Sequence, residues 1–198
     1  VLLRLYDGMP DFMYASANSA ANTTPYSKSL QQAVNLGEFQ HVLSKLTVEV
    51  VADPAMNPDV QLNNLSVTTS KSVAVLYLTE NRLSAPTEVE HIYNLVSETT
   101  PLTIADTIRS SVLLFPGTED VTEISIGLLD NTVYVSHDFM MSFFQNVTNV
   151  GQPLLLERGK NTTLRIIVKG TTITKVEIEL KGVLSEWNVQ GNFGITIN

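Results

Sequence analysis

The sequence has 198 residues and a mass of 21.8 kDa, long enough to bury a substantial core without help from disulfides or metals. Apolar residues make up 43%, charged residues 16%, and mean hydropathy is +0.11, a globular composition that excludes disordered and collagen-like chains. Twelve Lys and Arg against twenty Asp and Glu give a formal charge of −8 and a pI near 4.8, the wrong sign for gripping a phosphate backbone or an anionic leaflet, so nucleic acid is not an expected partner.

No apolar run approaches the roughly 20 residues of a membrane-spanning helix. The count of zero Cys removes disulfides, thiolate nucleophiles and Cys-based metal sites. The opening Val1 to Asp7 lacks the basic, apolar and small-residue regions of a signal peptide, so the expectation is a processed form or an excised piece.

In chain order, the spacing of Leu30, Ala33 and Val34 predicts a short helix over 27–35. Residues 39–51 end in Leu46, Val48 and Val50 alternating with Thr47 and Glu49, the pattern of a half-buried strand. Further short strands are predicted over 60–67, 73–78, 89–96, 112–115, 121–129, 132–135, 163–168, 172–180 and 193–197. Asp53-Pro54, Ala85-Pro86, Pro116-Gly117, Gly151-Gln152-Pro153 and Gly170 punctuate them, and Asp130-Asn131 reads as a tight hairpin. In 136–147, Phe139, Met140, Phe143, Phe144 and Val147 fit either a short helix or an aromatic-rich strand. No repeat or Gly/Ser-rich linker divides the chain.

The search for chemistry finds little. His41, His91 and His137 lack metal-ligand spacing, and there is no nucleophile-elbow, dinucleotide or phosphate-loop motif. Glu119, Asp120, Glu123, Glu177 and Glu179 are the carboxylates from which a glycosidase pair would have to come, but Glu177 and Glu179 alternate beside Lys175 and Lys181 as on a solvated strand face. The stretch from Asp53 to Asp59 reads as a turn, not a calcium loop. These readings predict no enzyme activity, no cofactor and no metal.

Several words of the sequence do resemble a known family. Asp11-Phe12-Met13-Tyr14-Ala15 is similar to a "DLLYA" word of the fimbrillin-like proteins of Bacteroidales, subunits of type V pili and related surface adhesins. Phe39-x-His41-x-x-Ser44-Lys45-Leu46 resembles their "F-x-H-x-x-[AS]-K-[LV]" strand. Leu156-Glu157-Arg158-Gly159-Lys160, with the strand that follows, resembles a "G-K-x-Y-x-[LI]-x-V" element, although Thr162-Thr163 stand where an aromatic is common. Trp187 and the closing Gly194-Ile195-Thr196-Ile197 complete the likeness.

The resemblance implies an all-β, mainly antiparallel, transthyretin-like β-sandwich, with one or two short helices on connections. It places the sandwich over 39–198, behind a lead segment, 1–38, that can be the tail of a preceding domain. It also implies a structural subunit of a cell-surface fimbria at the outer membrane. Its partners would be other pilin subunits, met by strand exchange, and a host or bacterial surface ligand; membrane contact would come only through a lipid anchor on the precursor. Phe193, Ile195 and Ile197 share one face and form the candidate donor strand, and Val1, Leu3 and Leu5 the candidate exposed N-terminal edge strand. The alternative is a carbohydrate-binding module on a similar sandwich, with Trp187, Tyr134 or Tyr93 as the stacking platform.

Overall fold

The computed structural model describes residues 2–5, 11–15, 39–56, 59–78, 80–101, 106–117, 121–140, 156–169 and 183–186. They form β1 (Leu2–Arg4), β2 (Met13–Tyr14), β3 (Gln40–His41), β4 (Ser44–Ala52), β5 (Val60–Tyr77), β6 (Arg82–Leu83), β7 (Thr87–Val96), β8 (Thr100–Pro101), β9 (Thr107–Leu114), β10 (Val121–Asp130), β11 (Val133–Met140), β12 (Lys160–Val168) and β13 (Val183–Glu186). Sheet I has seven strands: β10 and β1 both pair with β5, β11 extends β10, and β6, β7 and β8 also pair with β5. Sheet II has four, in the order β13-β12-β4-β9, and β2 pairs with β3 separately. All pairs are antiparallel except β12 with β4.

The inward residues of both sheets form one core. Leu46, Val48 and Val50 of β4 and Leu164 and Ile166 of β12 join Leu62, Leu65 and Val67 of β5 and Ile124, Ile126 and Leu128 of β10, all fully buried. This is a β-sandwich, each inner face built by alternate residues.

Strand β5 runs for 18 residues, further than a strict period of two could keep its apolar side inward. Its buried apolar positions are Val60 and Leu62, then Leu65 and Val67, then Ala74 and Leu76. The inward set thus passes from even to odd numbers and back. The first change lies at an irregularity against β10, where Gly127 pairs with Asn64 but Leu128 with Leu62, leaving Asn63 as the extra residue. The second lies where the pairing with β7 shifts around Lys71. Such irregularities insert a residue and re-aim the strand. The same breaks explain why the sequence pattern reads as two strands, 60–67 and 73–78, instead of one.

Other boundaries differ for related reasons. Strand β9 begins at Thr107, ahead of the predicted 112–115, because Arg109 and Ser111 lie on the outer face of sheet II and carry no apolar signal. Strand β11 continues to Met140, so residues 136–140 take the strand alternative, with Phe139 opposite Ile124. Asp130 pairs with Val133, which places the two-residue hairpin loop at Asn131-Thr132, and Asn131 takes the left-handed conformation at φ 53° that Asn tolerates well. Strand β13, just before Trp187, was not predicted. At the foot of β4, Asp53 Oδ1 accepts the Ala55 amide at 2.9 Å, the turn expected there. There is no helix among the described residues; the predicted helix over 27–35 and the strands over 172–180 and 193–197 lie outside them.

The outer face of sheet II holds a buried charge. Glu49 is 4% exposed, flanked in register by Arg109 of β9 and Arg165 of β12. Arg165 donates from Nε at 3.0 Å and Nη2 at 2.9 Å to Glu49 Oε2, and Arg109 Nη2 donates to Oε1. Beside them, Thr47 Oγ1 donates to Asn161 Oδ1 at 2.8 Å, tying β4 to β12 again. Burial pushes the Glu49 carboxyl up, but the hydrogen bonds and charges of Arg165 and Arg109 outweigh it and hold the group below the ordinary Glu range.

A carboxyl whose pKa is lowered by folding adds stability above its unfolded pKa, about 4.3 for Glu, and loses it as pH falls through the folded value. Glu49→Gln should therefore cost about 1–3 kcal/mol at pH 7, since both arginines keep partial access to water. Urea unfolding of both proteins from pH 7 to pH 3 should show the difference shrinking below about pH 4.

Candidate functional site

Two features near the start of the chain stand out from an otherwise regular sandwich. The first is β1, three residues laid antiparallel along β5 with Leu2 opposite Val75 and Arg4 opposite Val73. Val73 also pairs with Thr87 of β7, and Val67 with both Ile124 of β10 and Tyr93 of β7, so β1 and β10 share one edge of β5 and β7 lies on the other. Alternation sends Leu3 inward, and Leu5, just past the strand, follows it; both are 1% exposed, whereas Leu2 is 54% exposed. The Leu5 amide donates to Ser72 O at 2.8 Å, and its carbonyl lies 3.4 Å from the buried Tyr93 hydroxyl. A very short strand thus plugs two leucines into the core at a sheet edge.

The second feature is a clasp of polar groups. Strand β2 pairs with β3, Met13 opposite His41, and the Val42 amide donates to Phe12 O at 2.9 Å. Asp11 Oδ2 lies 2.7 Å from Nδ1 of the buried His41. The Arg158 guanidinium reaches in from the turn before β12: Nε donates to His41 O at 3.3 Å, Nη1 to Asn81 O at 2.9 Å, and Nη2 to Asn81 Oδ1. Ser44 Oγ donates to Glu157 O at 2.7 Å, and the Gly159 amide to Leu43 O at 2.9 Å. Gly159 sits at φ 71°, where a side chain is strained, and Asn81 at φ 48°. Burial lowers the Arg158 pKa from its ordinary value, with Tyr14 pulling the other way, the mark of a cation drawn out of water.

The clasp joins the three familiar words of the sequence: Asp11 to Tyr14, His41 to Ser44, and Glu157 to Gly159. Residues far apart in the chain are thereby fastened at one place, and each word supplies what the next needs: a carboxylate for His41, a backbone carbonyl for Arg158, an amide for Leu43 O. Their chemistry is that of a joint. Among the described residues no group of three His, Cys, Asp or Glu side chains comes together as a metal site would require.

The residues singled out from sequence are dispersed. Leu3 and Leu5 lie in β1 and directly after it, turned into the core. Tyr93 is 1% exposed, so its ring offers no face to a sugar; the even spacing of β7 places it opposite Val67 on the inner side, and that reading is corrected. Tyr134 is 51% exposed on the outer face of β11. Val1, Trp187, Phe193, Ile195 and Ile197 lie outside the described residues, as do Glu119, Asp120, Glu177 and Glu179.

Sequence reasoning passed over the Glu49, Arg109 and Arg165 group, reading Glu49 only as the solvent side of a strand. It also missed the role of Arg158, visible solely as a letter within a word, and the fit of Tyr134 over Gly127.

A model of the fimbrillin-like family matches residues 9–182. The chain belongs to the fimbrillin-like family. That match starts just before the first word of the clasp and runs past the last. No curated protein matches. Two similar crystal structures are each described as a "putative cell adhesion protein". The one from Bacteroides uniformis ATCC 8492 has a TM-score of 0.50 at 14% identity over 76% of this chain. The one from Bacteroides ovatus ATCC 8483 has 0.49 at 11% identity over 91%. The fimbrillin-like chain spans 52% of the first and 62% of the second.

If Arg158 fastens the lead segment of this fimbrillin-like protein, Arg158→Met should raise hydrogen exchange at the Val42 and Gly159 amides about tenfold or more. Arg158→Lys should restore little, since a single ammonium cannot span His41 O and Asn81 together. Exchange should stay slow in β10, which the clasp does not touch; mass spectrometry of peptic fragments reads both.

Proposed function

We propose that this fimbrillin-like chain is a structural subunit of a bacterial cell-surface fimbria or adhesin that assembles with other subunits by β-strand exchange. The observation that carries the reading is β1: an edge strand of three residues filling a place on β5 with two buried leucines. Burying a leucine is worth about 1.5–3 kcal/mol, and three residues add few ladder hydrogen bonds, so β1 is held well but not irreplaceably. A longer strand with the same inward spacing would keep both apolar plugs and add a fuller ladder along β5.

Phe193, Ile195 and Ile197 have that spacing, with apolar side chains at every second position as in Leu3 and Leu5. On this reading the partner is a neighbouring subunit whose C-terminal strand enters the place of β1. The protein stands on the cell surface, its precursor tied to the outer membrane by a lipid anchor, and the role is mechanical and adhesive rather than enzymatic. The clasp suits such a role, because it keeps the lead segment fastened at residues 11–15 while β1, on the far side of the short stretch 6–10, is exchanged.

Deleting residues 194–198 from the full-length protein should abolish its polymer ladder on gels of sheared surface material while leaving the monomer folded by circular dichroism. A normal ladder from the truncated protein would refute this choice of donor strand.

A further inference from the structure

The outer face of sheet I carries a feature that neither the core nor strand exchange uses. In register across its strands, Leu129 lies opposite Tyr134, Gly127 opposite Ser136, and Ser125 opposite Asp138. On the next strand Asn64 lies beside Gly127 and Ser66 beside Ser125, and Asn94 of β7 continues the second row. Short hydroxyl and amide side chains thus pave this part of the sheet, with Tyr134 at its border.

Tyr134 does not stand upright. A Cβ added to Gly127 would meet Tyr134 Oη at 2.5 Å and Cε2 at 2.9 Å, so the phenol lies down over the space that glycine leaves open. The hydroxyl end and one edge of the ring meet the strand there, and the residue is still 51% exposed, leaving much of the ring toward solvent. Beside it, Asp138 Oδ1 accepts from Ser125 Oγ at 2.5 Å and from Ser136 Oγ at 3.1 Å. Both serines are therefore spent on one oxygen, which fixes the carboxylate and turns its Oδ2 to accept from elsewhere. Because the phenol leans over Gly127, which lies opposite Ser136, its hydroxyl end stands about 7 Å along the strand from Asp138, and the ring, the Ser136 hydroxyl and Asp138 form a row of about 10 Å, the span of two sugar rings.

We propose that Tyr134, Ser136 and Asp138 form a binding subsite for a neutral carbohydrate. One pyranose would lay the apolar face of its C–H groups against the Tyr134 ring, and hydroxyls of the next would donate to Asp138 Oδ2 and to Ser136 Oγ. The charge selects the class: Asp138, the neighbouring Glu123 and a net −8 repel sialylated or sulfated sugars, whereas an ionised carboxylate is the strongest acceptor available to a sugar hydroxyl. With a single stacking ring, affinity should be weak, about millimolar, as suits a ligand met by many subunits at once. The site lies on β10 and β11, away from β1, and stands or falls independently of strand exchange.

The test is a nuclear magnetic resonance titration of the folded chain with maltotriose, cellotriose and mannotriose, and with sialyllactose as the charged control. At least one neutral trisaccharide should shift resonances of Tyr134, Ser136 and Asp138 with a dissociation constant of about 10 mM or below, and sialyllactose should bind at least tenfold more weakly. Tyr134→Ala should abolish the response. Gly127→Ala, which lifts the ring without touching the ligand, should weaken binding several-fold in a protein whose remaining spectrum is unchanged. Absence of any shift at Tyr134 from all three neutral sugars up to about 20 mM, equal binding by the Tyr134→Ala protein, or preference for sialyllactose would overturn the proposal.

Discussion

Everything in sheet I depends on one strand keeping its apolar side inward for longer than regular pleating allows. β5 pairs with β1, β6, β7, β8 and β10, so an error in its phase would turn residues outward along five interfaces. With a side-chain period of two, a slip of one residue exchanges core and solvent faces. The extra residue at Asn63 and the shifted pairing around Lys71 solve this locally, each restoring the inward set after the sequence pattern has changed phase. The cost is interrupted pairing at the two breaks. The gain is a single continuous strand whose one edge carries β10 and then β1.

Where the core cannot fasten the chain, polar groups do so. Sheet II is held across β9, β4 and β12 by a carboxylate between two guanidiniums, and the lead segment is held by Asp11, His41 and Arg158. Glu49 is buried and Arg158 half-buried, and each charge is met by several partners, the condition under which a desolvated charge is tolerated. Both also join segments distant in sequence, Glu49 to Arg165 and His41 to Arg158, and so help to specify which strands meet.

The all-β class was legible because most strands carry an uninterrupted alternation of Val, Ile and Leu, as in Leu46, Val48 and Val50. The phase changes of β5 were not legible: Asn63 and Lys71 look like ordinary punctuation, and only a partner strand shows that they continue one strand instead of separating two. Thr107 to Ser111 escaped notice because its apolar content is low and its stability comes from β4 and Glu49. The words around Asp11, His41 and Arg158 were visible as a family likeness, yet no local rule says that they touch. For the candidate sites, exposure decided what residue type could not: Tyr93 and Tyr134 are equally plausible on paper, and register alone sends one into the core and the other onto the surface.

The functional account rests on β1 being a strand that can leave. Leu2 and Val75 face each other on the outer side of sheet I, and with the Leu5 amide bonded to Ser72 O they form a non-hydrogen-bonded pair, the closely spaced kind that suits a disulfide. The chain has no cysteine, so Leu2→Cys with Val75→Cys would introduce a single bridge between β1 and β5. The most direct measurement compares polymerisation of this full-length variant oxidised and reduced. The account predicts folded monomers that do not polymerise until reductant frees β1; equal polymerisation with the bridge intact would contradict it.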